Sequence, residues 1–225
     1  MNNLIKIELK KFSAKSHLIG LLIANVVMIG LLIPIFLFAP ESEYVDKFAI
    51  VSTLNISVFI VWQGALIAKL VIEEFSNKTM FLLFTYPVSR KKLIVAKLAI
   101  VNSTILFSML VSQAVQTVAF SALGQLAPQV SFSPSVQDMG AVAILSVGAV
   151  MMGMLSLCVG MINKSAIATI VSSLAVVAIM GTTVGEAGGL LMSVPISLSV
   201  GAVGAVGVAL AFIALKDIDK KDLLV

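Results

Sequence analysis

His17 and Cys158 are the chain's lone histidine and lone cysteine. A transition-metal centre needs several His, Cys or carboxylate ligands brought together, and two residues this far apart do not supply one. His17 stands at the edge of an apolar run, as an ordinary interfacial residue does. A serine nucleophile would depend on that same histidine, and no GxSxG elbow is present to place one. Cys158 cannot form an internal disulfide and reads as a small apolar packing residue. The stretch GMINKS, 160–165, ends like a phosphate-binding loop, but it lacks glycine directly before Lys164 and an earlier glycine at the required spacing. It reads instead as the turn of a helical hairpin. No catalytic or metal-binding residue is assigned, and any ATP this protein uses must be bound by another chain.

Glu73 and Glu74 followed by Lys78 superficially resemble the EExxxR pattern of membrane-embedded prenyl-protein proteases. Lysine replaces the arginine, and the histidines that such chemistry requires are missing.

The elements that must position these residues are apolar. Of 225 residues, 60% are hydrophobic and 12% charged, whereas a soluble domain is roughly a quarter charged. Six stretches contain no Asp, Glu, Lys or Arg: 18–40, 48–68, 98–137, 139–163, 165–185 and 187–215. A helix crosses the hydrocarbon core with about 20 apolar residues, so six gaps predict six crossings. The third gap is one helix followed by the loop GQLAPQVSFSPSVQ, whose prolines break it. Lys164 alone separates the fourth span from the fifth, which predicts a tight hairpin. Ser193 and Pro195 suit the start of the last helix. Because the runs do not alternate apolar and polar residues, a barrel is excluded.

The expected fold is an all-α integral membrane protein, a single transmembrane domain over 1–225. Spans are expected at about 18–40, 48–70, 93–123, 139–162, 165–185 and 195–215, with a tail over 216–225. No interval between them is long enough to enclose a soluble core of its own. The first 16 residues, with Leu4, Ile5, Leu9 and Phe12 on one face and Lys6 and Lys10 on the other, read as an interfacial amphipathic helix. A plain basic topogenic tail is the alternative. No small-residue cleavage site follows a short apolar region, so the first run is read as retained.

Basic residues set the orientation. Lys6, Lys10, Lys11, Lys15, Lys69, Lys78, Arg90, Lys91, Lys92, Lys97, Lys164, Lys216, Lys220 and Lys221 fall on one side, and Lys47 alone on the other. The positive-inside rule then places both termini in the cytoplasm. The net charge of +4 is thereby a topological signal and does not point to nucleic acid.

The interval LVIEEFSNKTMFLLFTYPVSRKK, 70–92, carries more than a connector needs. Glu74 and Lys78 can pair at i,i+4 on a helix, and Phe75, Leu82 and Tyr86 recur at helical spacing. Pro87 should end that helix near Tyr86, after which Ser89 can cap the third span. A cytoplasmic helix over 73–86 bearing Met80, Phe81, Leu82, Leu83 and Phe84 must meet lipid, its own bundle or another protein. Coupling to a partner and lying in the membrane interface both satisfy it.

The order of an amphipathic N-terminal helix, two spans, this acidic-to-basic helix ending TYPVSRKK and four further spans resembles the membrane subunit of type-two ATP-binding-cassette exporters, of the small six-span bacterial kind. There the second and third spans are commonly joined by an acidic residue, a Lys-Thr or Gly-Thr, and an apolar run ending Pro-(Val/Ile)-(Ser/Thr)-Arg. This chain has Glu73, Glu74, Lys78, Thr79, Leu82, Leu83, Pro87, Val88, Ser89 and Arg90 in that order. The resemblance implies a permease subunit in the bacterial cytoplasmic membrane, working with a cytoplasmic ATPase and with a second copy of itself or a related permease. ATP and Mg would be held by the ATPase, with no cofactor in this chain. Glu73 or Glu74 would offer charge to the ATPase, and Phe75 and Leu82 would anchor the contact. Lys78, Thr79, Leu83 and Tyr86 complete the coupling helix, and Pro87 and Arg90 would set its elbow into the third span. The family often has short re-entrant helices between the fifth and sixth spans, which the glycines around Glu186 suit as well as a plain outer loop does.

Polar residues within the expected spans are uncharged: Asn25, Asn55, Gln63, Asn102, Gln113, Gln116 and many Ser and Thr. Ion-coupled carriers need buried ionisable groups, so an external ATPase is the expected engine. Asn55, Asn102, Gln113 and Gln116 are candidates for lining a translocation path, though such amides also bond neighbouring helices. Gly201, Gly204 and Gly207 suit close helix packing. The predominantly apolar wall fits a hydrophobic or amphipathic substrate, with a membrane-active or antimicrobial peptide the specific expectation. Two other classes are a substrate-capture subunit of a vitamin importer and a non-transporting membrane assembly factor. The first would not be expected to combine the basic N-terminal helix with EEFSNKTMFLLFTYPVSRKK.

Overall fold

The computed structural model describes residues 14–38, 47–73, 90–126, 132, 134–186 and 200–211. Among them there is no strand. The helices are α1 (Ala14–Phe38), α2 (Lys47–Ile67), α3 (Arg90–Leu126), α4 (Val136–Gly153), α5 (Leu155–Asn163), α6 (Ala166–Glu186) and α7 (Val200–Ala211). A π-helical turn, Ala68–Ile72, continues α2. Among the described residues, four helical stretches are long and apolar enough to cross a membrane: Lys15–Phe38, Lys47–Ile72, Leu93–Leu126 and Val136–Asn163. Two shorter apolar helices, Ala166–Gly181 and Val200–Ala211, lie where the fifth and sixth spans are expected. Residues 1–13 of the expected interfacial helix, 74–86 of the expected coupling helix, the segment 187–199 and the tail 216–225 lie outside the described residues.

α2 is the central helix, packing on α1, α3, α4, α5 and α6. Its Phe59, Ile60 and Ile67 are fully buried in one apolar cluster with Ile105 and Met109 of α3 and Leu157 of α5. A second cluster joins the other end of α1 to α2 and α3 through Phe36, Phe48, Phe120 and Phe132. The outer surface is equally apolar: Leu22, Val26, Leu31, Phe107, Val118 and Ile167 are all exposed. Inside and outside of similar character suit a bundle solvated by lipid, where burial of apolar surface no longer separates core from periphery.

Local sequence explains the helix ends. Ser135 starts α4 with a capping box: its hydroxyl accepts from the Gln137 amide, and its own amide donates to Asp138 at 2.9 Å. Lys164 turns α5 into α6 in a left-handed conformation, φ 49°. The Ser165 amide closes that turn on the Gly160 carbonyl, so GMINKS is a hairpin turn.

Within the stretch Val136–Asn163, which covers the span expected over 139–162, the helical hydrogen-bond ladder is interrupted at one point. At Met154 the amide donates to the Met151 carbonyl at 3.2 Å, one residue short of the α-helical partner Val150. The helix resumes at Leu155, and the Ser156 hydroxyl takes the Gly153 carbonyl at 2.7 Å. Gly204 of α7 lies against the unbroken part: a side chain there would strike the Gly148 carbonyl and Met151.

Candidate functional site

Amides and hydroxyls on one side of α3 face α2 and α1. Asn55 of α2 donates from Nδ2 to the Met109 carbonyl at 3.2 Å and to Gln113 Oε1 at 3.0 Å. Gln113 in turn donates to Ser52 Oγ at 2.9 Å. Toward α1, Ser112 donates to Asn25 Oδ1 at 2.8 Å, and Gln116 Nε2 reaches Met28 Sδ and Ser112 Oγ. The structure therefore places Asn55, Gln113 and Gln116 in buried contacts between helices, where amides act as cross-links in the absence of competing water.

His17 belongs to the same lattice. Ser108 gives its hydroxyl proton to the Thr104 carbonyl at 2.8 Å. The same hydroxyl oxygen lies 2.8 Å from His17 Nε2, within hydrogen-bond distance. The imidazole lies 4.9 Å from the ring of Trp62, which stacks on Phe59. This arrangement anchors α1 to α2 and α3.

Asn102 occupies a different place. Its Oδ1 accepts from Gln63 Nε2 at 2.9 Å, and the residue lines a cavity of about 370 Å³ between α3, α4 and α7. Among the described lining residues Ser103 is the other polar one, and the rest, including Leu98, Leu106, Val147, Met151 and Val208, are apolar. Gln63 also donates to the Val150 carbonyl at 2.9 Å, the acceptor released by the break at Met154. A side chain at Gly153 would collide with the Gln63 amide. Gln63 was visible in the sequence as a polar residue inside a span, but nothing in its own helix distinguishes it from the other amides. Its importance comes from meeting a break in a distant one. The side-chain oxygens of Asn55, Gln63 and Gln116 are buried without a hydrogen bond.

Lys97, read from sequence as an interval cation, lies inside the third apolar helix and is 5% exposed. Its ammonium donates to the Leu70 carbonyl in the π-helical turn at 3.3 Å. Packing of α3 on that turn buries it. The helix expected over 93–123 thus carries one buried basic residue near its start. Glu73 follows the turn and is exposed, with its amide bonded to the Ala68 carbonyl. Arg90 opens α3. The intervening candidates Glu74, Phe75, Lys78, Thr79, Leu82, Leu83, Tyr86 and Pro87 lie outside the described residues. Among the described residues no group of three or more His, Cys, Asp or Glu could hold a metal ion.

The family model for the ABC-2 family transporter protein matches residues 4–182. The chain belongs to that family. It is therefore the multi-pass membrane subunit of an ATP-binding-cassette transporter, a transport subunit that works with an ATP-binding-cassette ATPase. The Bacillus subtilis (strain 168) protein described as uncharacterized protein YcbO is 32% identical over 235 residues, covering 98% of this chain and 99% of its own length. No solved structure matches the chain.

Proposed function

We propose that this permease subunit exports a hydrophobic or amphipathic substrate from a bacterial cell, with ATP hydrolysed on a separate subunit. The observation that supports this reading best is the cavity between α3, α4 and α7, whose described wall offers apolar surface with Asn102 and Ser103 as its polar groups. Such a wall gains little from a sugar or an ion and favours an apolar chain that also carries a hydrogen-bonding group. A membrane-active or antimicrobial peptide has that character. Asn102 would orient the substrate, while Asn55, Gln113 and Gln116 would define the helices beside its path.

In the same reading, both termini face the cytoplasm in the bacterial plasma membrane, two permease subunits associate, and the segment 73–86 docks on the ATPase. Glu73 and Glu74 would supply charge, Phe75, Leu82, Leu83 and Tyr86 an apolar anchor, and Lys78 and Thr79 would complete the same helix. Pro87 and Arg90 would direct the chain back into α3. ATP and Mg belong to the ATPase.

Co-purification tests the docking. The Glu73→Lys/Phe75→Ala double variant is expected to reach the membrane and to lose the ATPase bound by the unmodified chain. Undiminished association and ATP turnover would remove the coupling role from this segment. For the substrate, inverted membrane vesicles carrying the complex should accumulate a fluorescent amphipathic peptide in an ATP-dependent manner. Accumulation of a lipid analogue or drug instead of peptide would change the substrate class while leaving the export reading in place.

A further inference from the structure

We propose that Lys97 is a positioning residue that clamps together the two roots of the 73–89 segment, so that force applied to that segment moves α2 and α3 as one lever. The segment follows Ile72 in the chain and precedes Arg90, the first described residue of α3. Lys97 lies seven residues into α3, about two helical turns from the return point. Its Nζ donates to the Leu70 carbonyl at 3.3 Å, within the last turn before the segment departs.

Three features make this contact more than ordinary packing. First, an ionisable side chain buried within a membrane-spanning helix is costly and is retained where it has a task. Second, the turn that receives it is π-helical over Ala68–Ile72, with the Glu73 amide reaching back five residues to the Ala68 carbonyl. A π turn is a local departure from α-helical pairing of the kind found at functional sites, and it redirects the carbonyls from their α-helical partners. Third, the donor is a basic side chain and the acceptor a backbone carbonyl. A charge-assisted hydrogen bond there is stronger than one between neutral groups. Around it, Val71 and Ile72 pack in one buried cluster with Ile94, Leu98 and Val101 of α3, which fixes both helices beside the bond. Loss of the ammonium would leave that apolar contact in place but remove its directional pin.

This inference rests on the 73–86 segment being the ATPase contact, and the test separates the two. The complex of the full chain with its ATPase, in lipid nanodiscs, is spin-labelled at Lys69→Cys and Phe107→Cys in a Cys158→Ser background. Distances are measured without nucleotide and after trapping with ATP and vanadate. With Lys97 present, the distance is expected to be the same in both states, because the helices move together. Lys97→Met keeps the apolar stem and should keep the ATPase bound, but its trapped-state distance should shift beyond the width of the unmodified distribution. Lys97→Arg, which restores a cationic donor, should abolish that shift; a purely space-filling role would not depend on the donor. Should Lys97→Met fail to accumulate in the membrane, Lys97→Gln serves the same purpose, since its amide nitrogen ends one bond short of the lysine ammonium. A distance equally fixed in the donor-deficient variant and the unmodified chain, with ATPase bound to both, would overturn the clamp and leave the docking reading intact. Failure of the unmodified chain to bind the ATPase would remove both.

Discussion

Gln63 Nε2 lies 2.9 Å from the Val150 carbonyl, and Val150 is the residue whose helical hydrogen bond is lost where α4 breaks. One amide of α2 thus fills a gap in the backbone ladder of another helix and, with the same nitrogen, holds Asn102 of α3. Insertion of a side chain into the i→i−4 ladder is a recognised cause of helix breaks.

The first prediction concerns that junction. Gln63→Leu should lower the stability of the detergent-solubilised protein by about 1–3 kcal/mol, the cost of leaving a buried polar group unpaired. Gly153→Ala should be comparably damaging while Gln63 is present, because the new methyl would meet its amide. Combined with Gln63→Ala, the same glycine change should cost less than the single effects added together. Thermal unfolding of the unmodified chain, Gln63→Ala, Gly153→Ala and their double variant decides the matter, and simple additivity would count against the contact.

A second prediction addresses the α2–α3 amide pair. Asn55 donates to Gln113 at 3.0 Å, and such interhelical bonds in membranes couple by about 0.6 kcal/mol on average and up to about 1.7 kcal/mol. A double-mutant cycle with Asn55→Ala and Gln113→Ala should return a coupling energy in that interval.

Helix α7 supplies a third. At Gly204 a side chain would meet the Gly148 carbonyl and Met151, whereas at Gly30 of α1 it would meet nothing within 4 Å. Gly204→Val should therefore reduce the folded yield and the thermal midpoint strongly. Gly30→Val should change stability by about 0.5 kcal/mol or less, as outward-facing substitutions generally do. Equal effects at the two sites would mean that α7 does not pack on α4 in this way.

The cavity allows a fourth. Ala99 lines it and is exposed, so Ala99→Phe should fill part of the space without disturbing a buried contact. ATP-dependent uptake of an amphipathic peptide into inverted vesicles should fall at least severalfold, while ATPase association stays at the level of the unmodified chain. Unchanged uptake would place the substrate elsewhere.

Much of the architecture was legible in residue type alone. Lys164 standing between two uncharged runs announces the α5–α6 hairpin, because a helix interrupted by a single charge between two spans has to turn there. Gly204 and Gly207 at helical spacing mark a face suited to close approach, although only the fold shows that α4 and α5 occupy it. The motif from Glu73 to Arg90, together with the order of spans, pointed to the family to which the chain belongs.

What could not be read was which polar residues meet. Gln63, Asn102 and Val150 are far apart in sequence, and helical periodicity says which face an amide occupies without saying what lies opposite. The break at Met154 has no proline to announce it; it is seen in the released carbonyl of Val150 and the amide that takes it. Lys97 is the clearest case. Next to three basic residues at the head of α3 it reads as one more interfacial cation, yet two turns of helix carry it beneath the surface and onto the Leu70 carbonyl. The sequence by itself determined that this chain is helical and meant for lipid, because hydrophobicity and charge act position by position. Tertiary structure decided which amide fills a broken ladder and which cation is buried, because those outcomes depend on the partner that packing brings opposite.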